Sequence, residues 1–251
     1  MISHHHKYIF VHIPKTGGTS IERTLQRNEP ESKNSDQLLL GKNDDPASGP
    51  PELMHLKAQQ YFKLNHLDEN IYDDYFKFAI VRNPWDRVAS FYKYFNYCRR
   101  FNFKTYVMKY LKKDIENRGW LFDSQHRFLT DRNGELIVDY IGRFESLQDH
   151  FNSICDKLDL KHNSLTHFNK SNPSQYIKLN FSTPAVYKNM LRNVARYLYK
   201  DKIKRNLRKN YRDYYDQETI EYVNELYRID VNYFNYHFSP EIRNYSLVEN
   251  L

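Results

Sequence analysis

The stretch His12-Ile13-Pro14-Lys15-Thr16-Gly17-Gly18-Thr19-Ser20 sets one amine, two glycines and three hydroxyl side chains directly after a short apolar run, Tyr8-Ile9-Phe10-Val11. Glycines let backbone N–H groups close on an anion, and a lysine neutralises it. This is phosphate-holding chemistry. The lysine precedes the glycines, so the nucleotide-triphosphatase order G-x-x-x-x-G-K-[ST] is absent. A second cluster, in Ala79-Ile80-Val81-Arg82-Asn83-Pro84-Trp85-Asp86-Arg87-Val88-Ala89-Ser90, ends an apolar run in arginine and places a hydroxyl, Ser90, about two helical turns further on. A guanidinium grips phosphate through charge-assisted, bidentate contacts, so Arg82 and Ser90 together suit a second phosphate.

Both clusters need elements that present them at one end of a sheet. Tyr8 to Ile13 reads as a short buried strand stopped by Pro14, and Thr19-x-x-Glu22 reads as a capping box opening a helix with Ile21 and Leu25 on its packing face. The loop therefore feeds a helix N-terminus, where unpaired N–H groups favour an anion. Residues 29 to 52, rich in Pro, Asn, Asp, Ser and Gly, read as a long loop, and Leu53 to Leu64 as a short helix. Phe76 to Val81 is a second buried strand. Asn83 is the N-cap and Pro84 the first residue of the helix that follows. Leu136 to Phe144 is a third strand, Ser146 caps a helix to about Leu158, and Asp216 caps a long amphipathic helix. Strands alternating with helices predict an α/β fold, a central parallel β-sheet with helices on both faces, in a single domain over 1–251. In such sheets ligands bind beyond the C-terminal ends of the strands, where both clusters fall.

With these residues in place, "FVHIPKTGGTS" followed by "FAIVRNPWDRVASFY" resembles the paired signature of sulfotransferases that use 3′-phosphoadenosine-5′-phosphosulfate. "SQHRFLTD" (Ser124 to Asp131), "DYIGRFESL" (Asp139 to Leu147), "LTHFNKS" (Leu165 to Ser171) and "YRDYYDQETIEYVNELYRID" (Tyr211 to Asp230) are similar to the carbohydrate-type branch. The resemblance implies a P-loop-like sulfotransferase fold. It also implies O-sulfation of a carbohydrate acceptor, a polysaccharide or glycolipid, with no metal. Lys15, Thr16, Gly17, Gly18, Thr19 and Ser20 would hold the 5′-phosphosulfate, and Arg82 and Ser90 the 3′-phosphate. Lys15 would also be catalytic, neutralising the departing phosphate. A base must take the proton of the acceptor hydroxyl. His55 is the first candidate, Glu52 the second and His66 the third. By resemblance only, Gln125 contacts acceptor.

Other residues carry blander readings. His12 is a strand-end histidine satisfied by backbone, and Trp85 belongs to the core. His126 stands equally as an acceptor contact or a surface histidine. Trp120 is free to stack on adenine or sugar. Arg143 and Glu145, two apart on a predicted strand, share a face and read as an ion pair, with approach of Arg143 to the nucleotide as the alternative. The triplet His4-His5-His6 reads as a solvated tail.

Hydrophobic residues at 40% and charged residues at 27% fit a soluble globular chain. Nothing resembles a secretory signal, and the two cysteines, Cys98 and Cys155, have no metal or disulfide-framework spacing. The expected location is cytoplasmic. Net charge is +7, but Lys188 to Arg212 holds ten Lys/Arg against one acid, Asp201, so the remainder is −2. This basic segment reads as a helical insertion at about 172–210. It separates Asn169-Lys170-Ser171 from Tyr211, elements adjacent in related chains. Its charges fit a solvated face, steering of an anion, or peripheral contact of 188–212 with an anionic membrane at its inner face. Two rival functions are a P-loop small-molecule kinase and a basic nucleic-acid-binding protein. The displaced lysine and the arginine at the strand end oppose the first. The second rests on charge alone, so no nucleic-acid partner is expected.

Overall fold

The computed structural model describes residues 1–29, 41–165 and 210–238. The basic segment, apart from residues 210–212, and Asn169-Lys170-Ser171 lie outside them. Four strands form one sheet in the spatial order β1 (Ile2–Ser3), β2 (Tyr8–Val11), β3 (Phe76–Val81) and β4 (Tyr140–Arg143). β1 runs antiparallel to β2, whereas β2–β3 and β3–β4 are parallel, with Tyr8 opposite Phe76 and Phe78 opposite Tyr140. The helices are α1 (Gly18–Gln26), α2 (Gln60–Lys63), α3 (Glu69–Asp74), α4 (Pro84–Tyr94), α5 (Phe103–Tyr106), α6 (Lys112–Asn117), α7 (Gly119–Phe122), α8 (Gln125–Leu129), α9 (Leu147–Lys157), α10 (Gln217–Leu226) and α11 (Arg228–Tyr233).

Strand alternation divides the core between the two faces of the sheet. Tyr8, Phe10, Phe78 and Ile80 face Ile21 and Leu25 of α1 and Phe151, Ile154 and Cys155 of α9. Ile9, Val11, Ala79 and Val81 face Val88, Phe91 and Tyr92 of α4 and Val223 of α10. Both faces are covered, as a mostly parallel sheet requires. β3 has the bounds its apolar run predicts, and Asn83 caps α4 by accepting from the N–H groups of Trp85 and Asp86 at 3.1 and 3.3 Å. Asp216 caps α10, accepting from Thr219 N–H at 2.9 Å.

Five local expectations are corrected. The triplet His4-His5-His6 is no tail: it turns the chain between β1 and β2, with His4 Nδ1 2.8 Å from the Tyr75 hydroxyl and His6 Nε2 3.1 Å from the Asn28 carbonyl. The capping box at Thr19 and Glu22 does not form. The N-cap of α1 is Gly17 at φ +89° with no side-chain cap, and Glu22 turns inward instead. Leu53 to Leu64 splits into a 3-10 turn at Leu53–His55 and the single turn of α2. The third strand begins at Tyr140 because Leu136 bridges back to Thr130. The long C-terminal helix breaks at Tyr227 into α10 and α11.

Candidate active site

The segment from His12 to Gly17 leaves β2 with its carbonyls spoken for. His12 C=O lies 3.0 Å from His55 Nδ1, and Ile13 C=O accepts from the Thr16 hydroxyl at 2.9 Å. Pro14 C=O accepts from Arg87 Nε at 3.0 Å and Lys15 C=O from Arg82 NH1 at 2.9 Å. Four successive acceptors are tied back by side chains. Among the described residues the N–H groups of Lys15 and Gly17 take no backbone carbonyl, and those of Gly18 and Thr19 open the first turn of α1. Free donors at a helix start make an anion cradle. Lys15 itself sits at φ +70°, a left-handed conformation that costs about 1–3 kcal/mol for a residue with a side chain. The Arg82 hydrogen bond to its carbonyl helps hold it there. Thr16 is fully buried with its hydroxyl spent on Ile13, so its contribution to the cradle is its N–H.

The two glycines have separate reasons. Gly17 needs its positive φ, and a Cβ there would come within 2.9 Å of Leu147 Cδ2. Gly18 is required by close approach: a Cβ would stand 2.1 Å from His12 Cδ2. That imidazole is wedged beneath the loop, stacked on Phe10 at 5.5 Å and with Nδ1 2.9 Å from Glu22 Oε1. His12 is thus satisfied by a buried carboxylate rather than by backbone. We expect Gly18→Ala to cost about 1–3 kcal/mol by overpacking. Calorimetry should read this as a lower Tm; an unchanged Tm would mean the imidazole yields freely.

Arg82 and Lys15 lie side by side. The guanidinium of Arg82 spans to the Lys15 carbonyl, stacks 4.0 Å above the Phe144 ring, and lies 2.7 Å (NH2) from Asp86 Oδ2. The three parallel strands thus meet at their C-terminal ends: Lys15 follows β2, Arg82 follows β3 and Phe144 follows β4. The Lys15 amine lies 3.6 Å over the ring of Tyr94, at the last turn of α4. Burial, reinforced by the charge of Arg82, brings its pKa down to about 7. Ser90 is half-buried on the face of α4 that carries Asp86, one turn on, and Thr19 and Ser20 are half-buried at the start of α1.

His55 is buried against His12, ring to ring at 4.7 Å, with Trp120 at 6.2 Å. A carbonyl only accepts, so the 3.0 Å contact with His12 C=O makes Nδ1 the protonated nitrogen of the neutral ring. Nε2 then carries the lone pair, 3.6 Å from Glu52 Oε2. Burial, then the neighbouring His12, Arg87 and Lys15, hold the imidazole well below its usual range. His66 lies apart, with Nε2 2.6 Å from the Ser48 carbonyl. The structure therefore brings His55 and Glu52 together with Lys15 and leaves His66 out.

Several residues that organise the site escaped the sequence reading. Arg87 is fully buried and donates to the carbonyls of Pro14, Leu121 and Asp123. Its signal was a charge within the packing face of a helix. Gln125 was expected to touch acceptor. It is instead fully buried and bonded both ways to the Arg82 backbone, accepting from N–H and donating to C=O at 2.8 Å each. Asp230 of α11 accepts from Gln125 N–H at 2.8 Å and His126 N–H at 2.9 Å, with burial raising its pKa to about 6. Arg143 and Glu145 take different partners. Arg143 NH2 donates to Phe234 C=O at 2.6 Å, while Glu145 accepts from Asn83 N–H at 2.7 Å and the Tyr236 hydroxyl at 3.1 Å. Trp85 is buried, as expected. A cavity of about 670 Å³, lined among others by Tyr72, Lys77, Arg132 and Asp139, opens at the opposite ends of β3 and β4 and holds none of the cluster. Among the described residues no group of three or more His, Cys, Asp or Glu is placed to hold a metal ion, and no helix is long and apolar enough to cross a membrane.

An uncharacterized protein of Archaeoglobus fulgidus is 29% identical over 120 residues, 46% of this chain and 93% of that protein. Carbohydrate sulfotransferase 10 of Xenopus laevis is 27% identical over 218 residues, 70% of this chain but 59% of the frog protein, so the chain spans little more than half of that relative's length. No solved structure matches. The model of the sulfotransferase family matches residues 1–237, from before the anion cradle to beyond Asp230, and the chain belongs to that family.

Proposed function

We propose that this chain moves a sulfuryl group from 3′-phosphoadenosine-5′-phosphosulfate to a hydroxyl of a carbohydrate. The observation that carries the reading is the contact between Arg82 and the Lys15 carbonyl. It sets two cationic residues side by side at the ends of neighbouring strands, as a donor with phosphates on both sides of its ribose requires. The family match and the frog relative's name support the class of reaction and of acceptor.

The residues divide the work. The N–H groups of residues 15–19, with Ser20, hold the 5′-phosphosulfate. Arg82 and Ser90 hold the 3′-phosphate and so separate this donor from ATP. The acceptor oxygen attacks sulfur in line as the bond from sulfur to the bridging oxygen breaks. Its proton passes to His55 Nε2, the nitrogen with the lone pair. Glu52 stands beside that nitrogen and stabilises the imidazolium that forms. Lys15 meets the negative charge that builds on the leaving phosphate.

Incubation with donor labelled at sulfur and a panel of oligosaccharides and glycolipids tests the assignment. Label should appear in a sugar ester, with adenosine 3′,5′-bisphosphate released in equal amount. Transfer to peptide tyrosine or to no acceptor, with the sugars unlabelled, would sink the carbohydrate reading.

A further inference from the structure

Arg82 is held on three sides. Its face rests on the Phe144 ring, 4.0 Å from the guanidinium carbon. NH1 donates to the Lys15 carbonyl at 2.9 Å. Nε donates to Asp86 Oδ2 at 2.9 Å, with NH2 2.7 Å from the same oxygen. Phe144 fixes the plane of the fork, Asp86 fixes one edge and Lys15 fixes the tip. A guanidinium has five N–H donors. Among the described residues no further side chain or carbonyl takes them, so terminal N–H groups remain to meet a phosphate.

We infer that Asp86 is a positioning residue for selection of the donor's 3′-phosphate: it aims Arg82, and without it the guanidinium grips that phosphate poorly. The inference rests on the proposed role of Arg82. Its sign is the opposite of what charge alone dictates, since deleting a carboxylate beside an anion site should tighten binding. Two features favour positioning. The Asp86 carboxylate is already paired with the guanidinium it holds, NH2 to Oδ2 at 2.7 Å, so its charge is largely spent on Arg82. The free arginine side chain has many rotamers, and a fork locked beforehand loses little freedom when phosphate arrives. Asp86 and Ser90 lie one turn apart on α4, and Arg82, which precedes the helix's N-cap Asn83, folds over the first of them.

The test is calorimetric titration with adenosine 3′,5′-bisphosphate and, separately, adenosine 5′-monophosphate. Wild-type protein should prefer the bisphosphate. Asp86→Ala should weaken the bisphosphate about tenfold, the scale of one charge-assisted contact, and leave the monophosphate unchanged. Asp86→Asn keeps an acceptor oxygen and should fall between the two. A general disturbance of α4 would weaken both nucleotides in step, and that result overturns the inference. So does an Asp86→Ala protein that binds bisphosphate as tightly as wild type or more tightly. A wild-type protein with no preference would instead remove the role of Arg82 itself, and the inference with it.

Discussion

Replacing Lys15 by methionine is expected to lower kcat about 10²- to 10³-fold, the loss typical of one preorganised donor at a developing negative charge, about 3–4 kcal/mol. The effect should fall on kcat more than on donor KM, because the N–H row of 15–19 still holds the ground-state phosphosulfate. Methionine keeps the length and packing of the stem over Tyr94, so the change isolates the charge. A pH signature accompanies it. In the ligand-free protein the amine titrates near 7, pushed down first by burial and then by Arg82. An anionic nucleotide binds the protonated form better. Affinity for adenosine 3′,5′-bisphosphate should therefore hold below pH 7 and decline as pH rises through it. Bound phosphate pulls the amine's pKa back up, so the decline ends above the free value. The methionine variant should show a flat profile over the same range. A wild-type profile that is flat, or a variant that keeps kcat within threefold, would place Lys15 outside the reaction.

How much of this was readable beforehand depends on how local the signal was. Lys15 and Arg82 were legible because each is a charge at the end of an apolar run, and a parallel sheet puts every such end on one side. β2 and β3 were legible as short apolar runs. What failed was every inference that applied a local rule where a distant residue competed. Glu22 suits a capping box, but His12 offers it a buried partner at 2.9 Å and the helix starts from glycine instead. Arg143 and Glu145 would share a face only on a continuous strand. The chain leaves β4 after Arg143, so the period-two rule lapses. Gln125 mimics a neighbouring strand for the Arg82 backbone, and nothing in its own neighbourhood announces that. Arg87 is the same case: its three carbonyl partners come from Pro14, Leu121 and Asp123, on two separate segments. The catalytic types were visible one by one. The long-range hydrogen bonds that hold Arg82 and His55 were not, because they join residues 43 to 67 positions apart.

The second large effect is expected at His55, and the choice of replacement decides what is learned. Alanine would leave the buried His12 carbonyl without its donor, an unsatisfied group worth about 1–3 kcal/mol of stability. Asparagine places an amide N–H where Nδ1 stands and removes only Nε2. His55→Asn should therefore keep its Tm close to wild type and bind adenosine 3′,5′-bisphosphate normally, yet lose about 10²- to 10⁴-fold in kcat as the general base disappears. The wild-type acid limb follows from the same environment. Burial holds the imidazole neutral, and the neighbouring charges add to that, so kcat should already be on its plateau at pH 6.5 and fall only below it. Glu52 supplies the counter-test. If the carboxylate merely stabilises the imidazolium, Glu52→Gln should cost less than His55→Asn and shift the acid limb further down, since the protonated ring loses its partner. If Glu52→Gln costs more, the proton goes to the carboxylate and His55 only holds the loop by its carbonyl. The 3.6 Å separation of Nε2 and Oε2 makes the two residues neighbours in either case, so only the size and the pH limb of the two losses assign the base.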